Sequence, residues 1–218
     1  MKLMIVDDHQ VVRQGIANLL RSMIPGIEVT EADSGQQAVT QYGQYRPDVL
    51  LLDMGLPDIS GLEVGRRVRQ RWQGAAILFF TMHDELPLVR QALDVGSMGF
   101  VSKSCAPEEL AEAVRRVASG QPYIEHAIAT RLAMNSERPV DYRLKDMTQR
   151  EMEVLLMYAR GDNVSGIAEQ LCISSKTVSN HLALLKSKLQ VGSSVELIHL
   201  AVDAGLVRYG QRGAGQRS

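Results

Sequence analysis

Five side chains that can carry charge or react lie at the C-terminal ends of short apolar runs. Asp7 and Asp8 follow 2–6, Asp53 follows 48–52, Thr81 closes 76–81 and Lys103 follows 99–102. A carboxylate can attack phosphorus, a hydroxyl can hold a phosphoryl oxygen, and an ammonium can neutralise charge on the equatorial oxygens. Three carboxylates gathered in one crevice repel one another and would hold Mg²⁺, a hard cation that takes oxygen ligands. Together the residue types suit the movement of a phosphoryl group. A single aspartate at a strand end is ordinarily a turn or cap residue; recurrence at four run ends is what carries the reading. Three neighbours read more plainly. His9 is a helix-entry residue, His83-Asp84 a loop with a helix cap, and Cys105 a bystander thiol.

Those run ends share one crevice only if the runs are strands of one parallel sheet. Residues 49–52 and 77–80 are apolar at every position, the pattern of strands buried on both faces. Strands are predicted at 2–6, 27–31, 48–52, 76–81 and 99–102, alternating with helical patterns near 10–22, 34–43, 61–71, 86–94 and 107–119. Five strands alternating with five helices give an α/β doubly wound five-stranded parallel sheet, which binds ligands at the carboxyl ends of its strands. After Gly120 the pattern changes. Residues 121–146 read as a linker, with one helix at 124–134. From 148 onward the pattern is helical, in a small all-α unit with helices at 148–160, 163–171, 175–189 and 193–205. Thr148 and Glu151 have capping-box spacing, Gly161 reads as a helix stop, and 208–218 as a disordered tail.

Composition narrows the class. The 218 residues are 45% hydrophobic and 22% charged, enough apolar material for a core. Two cysteines, Cys105 and Cys172, are too few for a disulfide framework or a four-thiolate zinc site. No apolar run approaches the ~20 residues needed to span a bilayer, and a cytoplasmic protein is expected. The near-zero net charge hides an asymmetry: residues 1–125 carry a net of −4 and residues 126–218 a net of +3. Opposite signs in the two halves suggest two domains with different partners.

The segments VDDH, LLLDMGLPDISGLE, FFTMHDE and GFVSKS resemble the receiver domain of two-component response regulators, over about residues 1–119. The resemblance implies a flavodoxin-like receiver at 1–120, with Asp53 as phosphoacceptor and a sensor histidine kinase as donor. It implies Mg²⁺ held by Asp8, Asp53 and the backbone carbonyl of Gly55, with Asp7 contributing through water. Thr81 and Lys103 would hold the phosphoryl oxygens. Thr81 and Phe100, three residues before Lys103, would form a switch in which Phe100 turns inward as Thr81 moves toward the phosphate.

In the helical half, 163–189 reads helix, turn, helix. Val178, Leu182, Leu185 and Leu189 face inward, and from 174 to 190 there are three Lys and no acid. Such a helix either enters a DNA major groove or is a solvated helix of a bundle. The wider stretch, MTQREMEVLLMYARG and IAEQLCISSKTVSNHLALLKSKLQV, is similar to the LuxR-type helix-turn-helix effector of the NarL/FixJ subfamily, over about 145–207. The resemblance implies a DNA-binding domain at 147–207, with Lys176, Thr177, Asn180, His181 and Lys186 as candidate contacts. Where the family often carries basic residues this chain has Ser179 and Ala183, which receive no contact assignment. The last helix, with Val195, Ile198 and Val202, would pair two copies in a homodimer. The reading is a phosphorylation-dependent, DNA-binding regulator of transcription, whose only chemistry is Mg²⁺-dependent phosphorylation and dephosphorylation of its own Asp53. Two rivals are a DNA-binding or interaction module independent of phosphorylation and an Asp-nucleophile phosphatase. Such phosphatases usually carry a second Asp two residues after the nucleophile, where this chain has Gly55.

Overall fold

The computed structural model describes residues 1–82, 84–134, 144, 147–171 and 173–207. The chain divides into two compact units, Met1–Arg138 and Pro139–Ser218.

The first unit is a parallel sheet in the order β2-β1-β3-β4-β5-β6. Its strands are β1 (Lys2–Val6), β2 (Glu28–Ala32), β3 (Val49–Leu52), β4 (Ile77–Thr81), β5 (Gly99–Ser102) and β6 (Tyr123–Ile124). Between and after them run α1 (Gln10–Met23), α2 (Gly35–Tyr45), α3 (Gly61–Arg71), α4 (Leu86–Asp94), α5 (Pro107–Ala118) and α6 (His126–Met134). Every residue of β3, β4 and β5 is buried, as their unbroken apolar sequence requires. On one face Leu3, Ile5, Leu51, Leu78, Phe80 and Val101 pack with Ile16 and Leu20 of α1 and Leu110 and Val114 of α5. The alternate residues Met4, Val6, Leu50, Leu52, Ile77, Phe79 and Phe100 are buried on the other face.

Register aligns the strand ends. Val6 pairs with Leu52, Leu52 with Phe79, and Thr81 with Ser102. The next residues continue the ladder: Asp53 N–H donates to Val6 O at 2.9 Å, and Lys103 N–H to Thr81 O at 2.9 Å. The backbone therefore sets Asp7 beside Asp53 and Lys103 beside Thr81.

The sheet has six strands rather than five. β6 lies within the stretch read as a linker and pairs with β5 through Gly99↔Tyr123 and Phe100↔Ile124. Two residues leave no periodicity to detect, so this edge strand is tertiary in origin. Tyr123 Oη donates to Glu109 Oε1 at 2.9 Å, and Arg116 lies 5.6 Å from the Tyr123 ring centroid. A Cβ at Gly99 would meet Tyr123 O at 2.7 Å, so glycine is what lets β6 approach. The helix expected within 124–134 is α6, with Ile128 as its one buried residue. Arg131 Nη1 bridges to Asp84 Oδ2 at 2.5 Å, a half-exposed pair worth at most about 1 kcal/mol.

The second unit contains α7 (Gln149–Arg160), α8 (Val164–Gln170), α9 (Ser175–Lys188) and α10 (Ser194–Asp203). All four helices open on a side-chain cap: Thr148, Asn163, Ser174 and Ser193. Gly161 ends α7 at φ 103°, a conformation that favours glycine. Asn163 Oδ1 accepts from Gly166 N at 2.8 Å, which ties the glycine into the first turn of α8. Val154, Leu155, Ile167, Val178, Leu185 and Leu197 form the centre of the bundle.

Glu151 does double duty there. Its Oε2 accepts from Thr148 N at 2.7 Å, closing the capping box, and from Lys188 Nζ at 2.7 Å, joining α7 to the end of α9. Burial pushes its pKa up, but these donors outweigh burial and hold it below the usual carboxylate range. A carboxylate with a depressed folded-state pKa stabilises the fold above its unfolded value, and that stability is lost as pH falls through the folded value. Glu151→Gln is expected to cost about 1–2 kcal/mol at pH 7. It should also flatten the stability profile below about pH 4.5; denaturant melts of both proteins between pH 3 and 7 measure both effects.

Candidate phosphoryl-acceptor site and nucleic-acid face

The strand ends of the first unit close on one ammonium. Lys103 Nζ lies 2.6 Å from Asp53 Oδ2 and 2.6 Å from Asp7 Oδ2. Asp7, Asp53 and Thr81 are 1%, 4% and 0% exposed. Burial pushes the Lys103 pKa down, but Asp53 and Asp7 outweigh it and hold the ammonium above its ordinary range, so it stays charged. At Asp53 the balance falls the other way. Burial raises its pKa, and the neighbouring Asp7 adds to the rise, beyond what Lys103 and the Gly55 N–H take back. The result is a desolvated carboxylate of raised basicity facing a fixed cation.

Asp8 completes the acid group at the edge. Three carboxylates against one ammonium leave two negative charges, which a divalent cation would balance. Asp8 Oδ1 is buried and accepts no hydrogen bond among the described residues, although His9 Nδ1 lies 2.9 Å away. Asp7, Asp8 and His9 place one ligand atom each within 4.8 Å of one another. A hard cation fits this oxygen-dominated set. His9 enters the helix as expected, and its N–H donates to Asp7 Oδ1 at 2.9 Å. Arg13 Nη1 donates to Asp7 O at 2.6 Å, fixing the turn that carries both acids.

The loop after Asp53 is held at both ends. Gly61 N donates to Met54 O at 2.8 Å, and a Cβ at Gly61 would sit 2.1 Å from Asp53 O. Only glycine lets the first turn of α3 come this close to the backbone of Asp53. Asp58 anchors the middle. Its Oδ1 and Oδ2 accept from Gly35 N and Gln36 N, each at 2.8 Å, capping α2 from across the fold. Burial nudges its pKa up, but these donors win and lower it. The sequence reading missed Asp58, because the helix it caps lies more than twenty residues earlier.

Thr81 and Phe100 lie on neighbouring strands, one at the site and one beneath it. The Phe100 ring is fully buried, 6.4 Å from the Phe79 ring centroid, so the inward position is the one the structure holds. Cys105 has its pKa pushed up to about 11 by burial, with Glu125 and Glu109 adding to the rise, and so carries no thiolate near neutrality. His83 and Cys172 lie outside the described residues, as does the tail 208–218.

In the second unit, Val178, Leu182, Leu185 and Leu189 are buried, and Lys176, Asn180, Ala183, Leu184 and Ser187 are exposed on the opposite side of α9. The five candidate contacts therefore separate. Lys176 and Asn180 face out. Thr177 is half-buried and occupied with the cap, its Oγ1 2.8 Å from Ser174 Oγ. His181 is half-buried, with a shielded Nδ1 that has no hydrogen bond among the described residues. Lys186 lies half-buried on the flank, and Lys188 is engaged by Glu151. Leu184, 57% exposed, is an apolar residue on the outward side of α9 that the sequence reading left unplaced. On α10, Leu197, Leu200 and Ala201 are buried, Val195 is 63% exposed, and Ile198 and Val202 are half-buried. The bundle therefore uses one side of α10 and leaves an apolar stripe on another.

Comparison with known proteins matches the two units separately and together. Residues 3–115 match the response regulator receiver domain, and residues 145–201 match the bacterial regulatory proteins of the luxR family. The transcriptional activator protein ExaE of Pseudomonas putida is 51% identical over 95% of this chain and 99% of its own. The crystal structure of a LuxR-family two-component response regulator from Aurantimonas is 34% identical, with a TM-score of 0.60 over 62% of this chain and 96% of that one. A Salmonella typhimurium RcsB response regulator structure, described for its conformational dynamism in DNA interaction, is 25% identical with a TM-score of 0.58, over 93% of this chain and 98% of that one.

The Gly61 contact gives a direct test. Gly61→Ala should displace the Asp53 carbonyl and destabilise the first unit by about 1–3 kcal/mol. Thermal melting reads the loss, and amide exchange across residues 53–61 should localise it.

Proposed function

This chain belongs to the bacterial response regulators that join a receiver domain to a LuxR-type DNA-binding domain, and on that footing we propose that phosphorylation of Asp53 switches its control of transcription. The observation that carries the proposal is the Lys103 ammonium, its side chain 10% exposed, held 2.6 Å from both Asp53 and Asp7. A sensor histidine kinase is the donor. An Asp53 carboxylate oxygen attacks phosphorus, the P–N bond to the kinase imidazole breaks, and an aspartyl phosphate forms. Lys103 then exchanges its Asp53 oxygen for a phosphoryl oxygen while keeping Asp7, and Thr81 takes another phosphoryl oxygen. Mg²⁺, when held by Asp8, Asp53 and the Gly55 carbonyl with Asp7 behind a water, supplies further neutralisation of the phosphoryl charge. Hydrolysis at the same carbonyl-phosphate resets Asp53.

The output follows from the second unit. Residues 1–120 carry the acceptor chemistry, 121–146 the connection and 147–207 the DNA contacts. Thr81 drawn to the phosphate favours the inward Phe100, which biases a two-state element of the receiver. Lys176, Asn180 and Lys186 of α9 would meet DNA, with Thr177 and His181 at its margin, and the Val195, Ile198 and Val202 stripe of α10 would pair two copies on a two-fold site. ExaE, named as an activator, supports activation as the output. No helix among the described residues is long and apolar enough to cross a membrane, and the protein acts in the cytoplasm, where its DNA lies.

Incubation with a small-molecule phosphodonor and Mg²⁺ should add one phosphoryl group, read by intact mass. Asp53→Asn, or omission of Mg²⁺, should abolish it, and light scattering of the same samples should show monomers becoming dimers. An increment retained in the mutant would overturn the assignment, and DNA binding indifferent to phosphorylation would favour the constitutive module. Lys176→Ala and Lys186→Ala should each weaken DNA binding and lower the slope of log K against log salt by about 1, measured by fluorescence anisotropy.

A further inference from the structure

The groove-side chemistry of α9 is narrow, and what it lacks is as informative as what it has. The helix contains no Arg, Asp or Glu. Cytosine is read by an acid accepting from its exocyclic amine, and guanine by Arg or Lys donating to its O6 and N7. The first is absent from α9. The second is confined to the ends of the helix, because Lys188 is held 2.7 Å from Glu151, Lys186 lies on the flank and Lys176 sits in the first turn. The centre of the exposed side holds Ser179, whose hydroxyl donates back to Ser175 O at 3.0 Å, the amide of Asn180, and one turn later two apolar groups, Ala183 and Leu184, the latter 57% exposed. An Asn amide pairs bidentately with adenine N6 and N7, and apolar side chains pack on the thymine C5-methyl.

We infer that the centre of each half-site is A·T-rich, read by Asn180 at an adenine and by Ala183 and Leu184 at the methyl groups of neighbouring thymines. Both features stand in the major groove of successive A·T pairs, about one helical turn of α9 apart from each other on the protein side. The apolar pair makes the interface drier and less ionic at its centre, so recognition there depends on methyl burial rather than on charge. The inference rests on α9 being the groove-facing helix.

The test uses the full-length protein treated with phosphodonor. Binding sites are selected from a random-sequence duplex library. In the selected duplex each central thymine is then replaced in turn by deoxyuridine, which lacks the methyl, and each central adenine by 7-deazaadenine, which lacks N7. A·T pairs should dominate the centre of the selected half-site. One 7-deazaadenine should weaken binding about tenfold, and each deoxyuridine at a contacted position about threefold. Asn180→Ala should erase the first sensitivity, and Leu184→Ala the second at one thymine; both substitutions suit an exposed helix position, and circular dichroism checks the fold. Selection of G·C-centred sites, or indifference of the wild type to uracil, would overturn the base assignment while leaving groove binding intact. Failure to bind any duplex above the non-specific level would overturn groove binding by α9 itself, and the base assignment with it.

Discussion

The ammonium of Lys103 is the point on which the first unit turns. It lies between two carboxylates that burial would otherwise make prohibitive, and it holds both at 2.6 Å. Removing one member of a buried charge group strands the others, so β1, β3 and β5 must keep their register for the fold to persist. The pairing of Val6 with Leu52 and of Thr81 with Ser102 is the backbone expression of that demand. The arrangement is also incomplete by charge, with three acids to one base. That imbalance leaves room for positive charge at Asp8, and under the proposed function Asp53 would exchange Lys103 for a phosphoryl group.

The site is mechanically continuous with the segment that follows the sheet. Ser102 N donates to Glu125 Oε2 at 2.8 Å, and Glu125 N to Phe100 O at 3.0 Å, so the root of α6 is fastened to β5, which Lys103 follows. Farther along, Arg131 of α6 reaches Asp84, three residues past Thr81. Both attachments lie close to the side chains that would hold a phosphoryl group. In α6 itself Ile128 is buried and Met134 is 81% exposed.

The helical unit solves a different problem. Its helices are short, and isolated helices of this length are marginal in water. Four side-chain caps, one of them a capping box, and the Glu151–Lys188 pair offset that weakness at the helix ends. The outward sides of α9 and α10 are left for contact with other molecules.

Much of this was legible in the chain itself. Unbroken apolar runs such as 49–52 and 77–80 specify strands covered on both faces, and a reactive residue at the end of each specifies where the chemistry gathers. The caps Thr148 and Ser174 and the stop at Gly161 are local, so spacing reveals them. Features made between distant residues were not legible. β6 is two residues long and exists because Gly99 admits it. Asp58 caps a helix whose start, Gly35, lies 23 residues away. Thr177, His181 and Lys188 look alike as polar residues of one helix, but their cap, burial and ion pair set them apart from Lys176 and Asn180. Periodicity assigns a residue to a face; only packing decides whether that face is already occupied, because occupancy depends on what the rest of the chain brings to it.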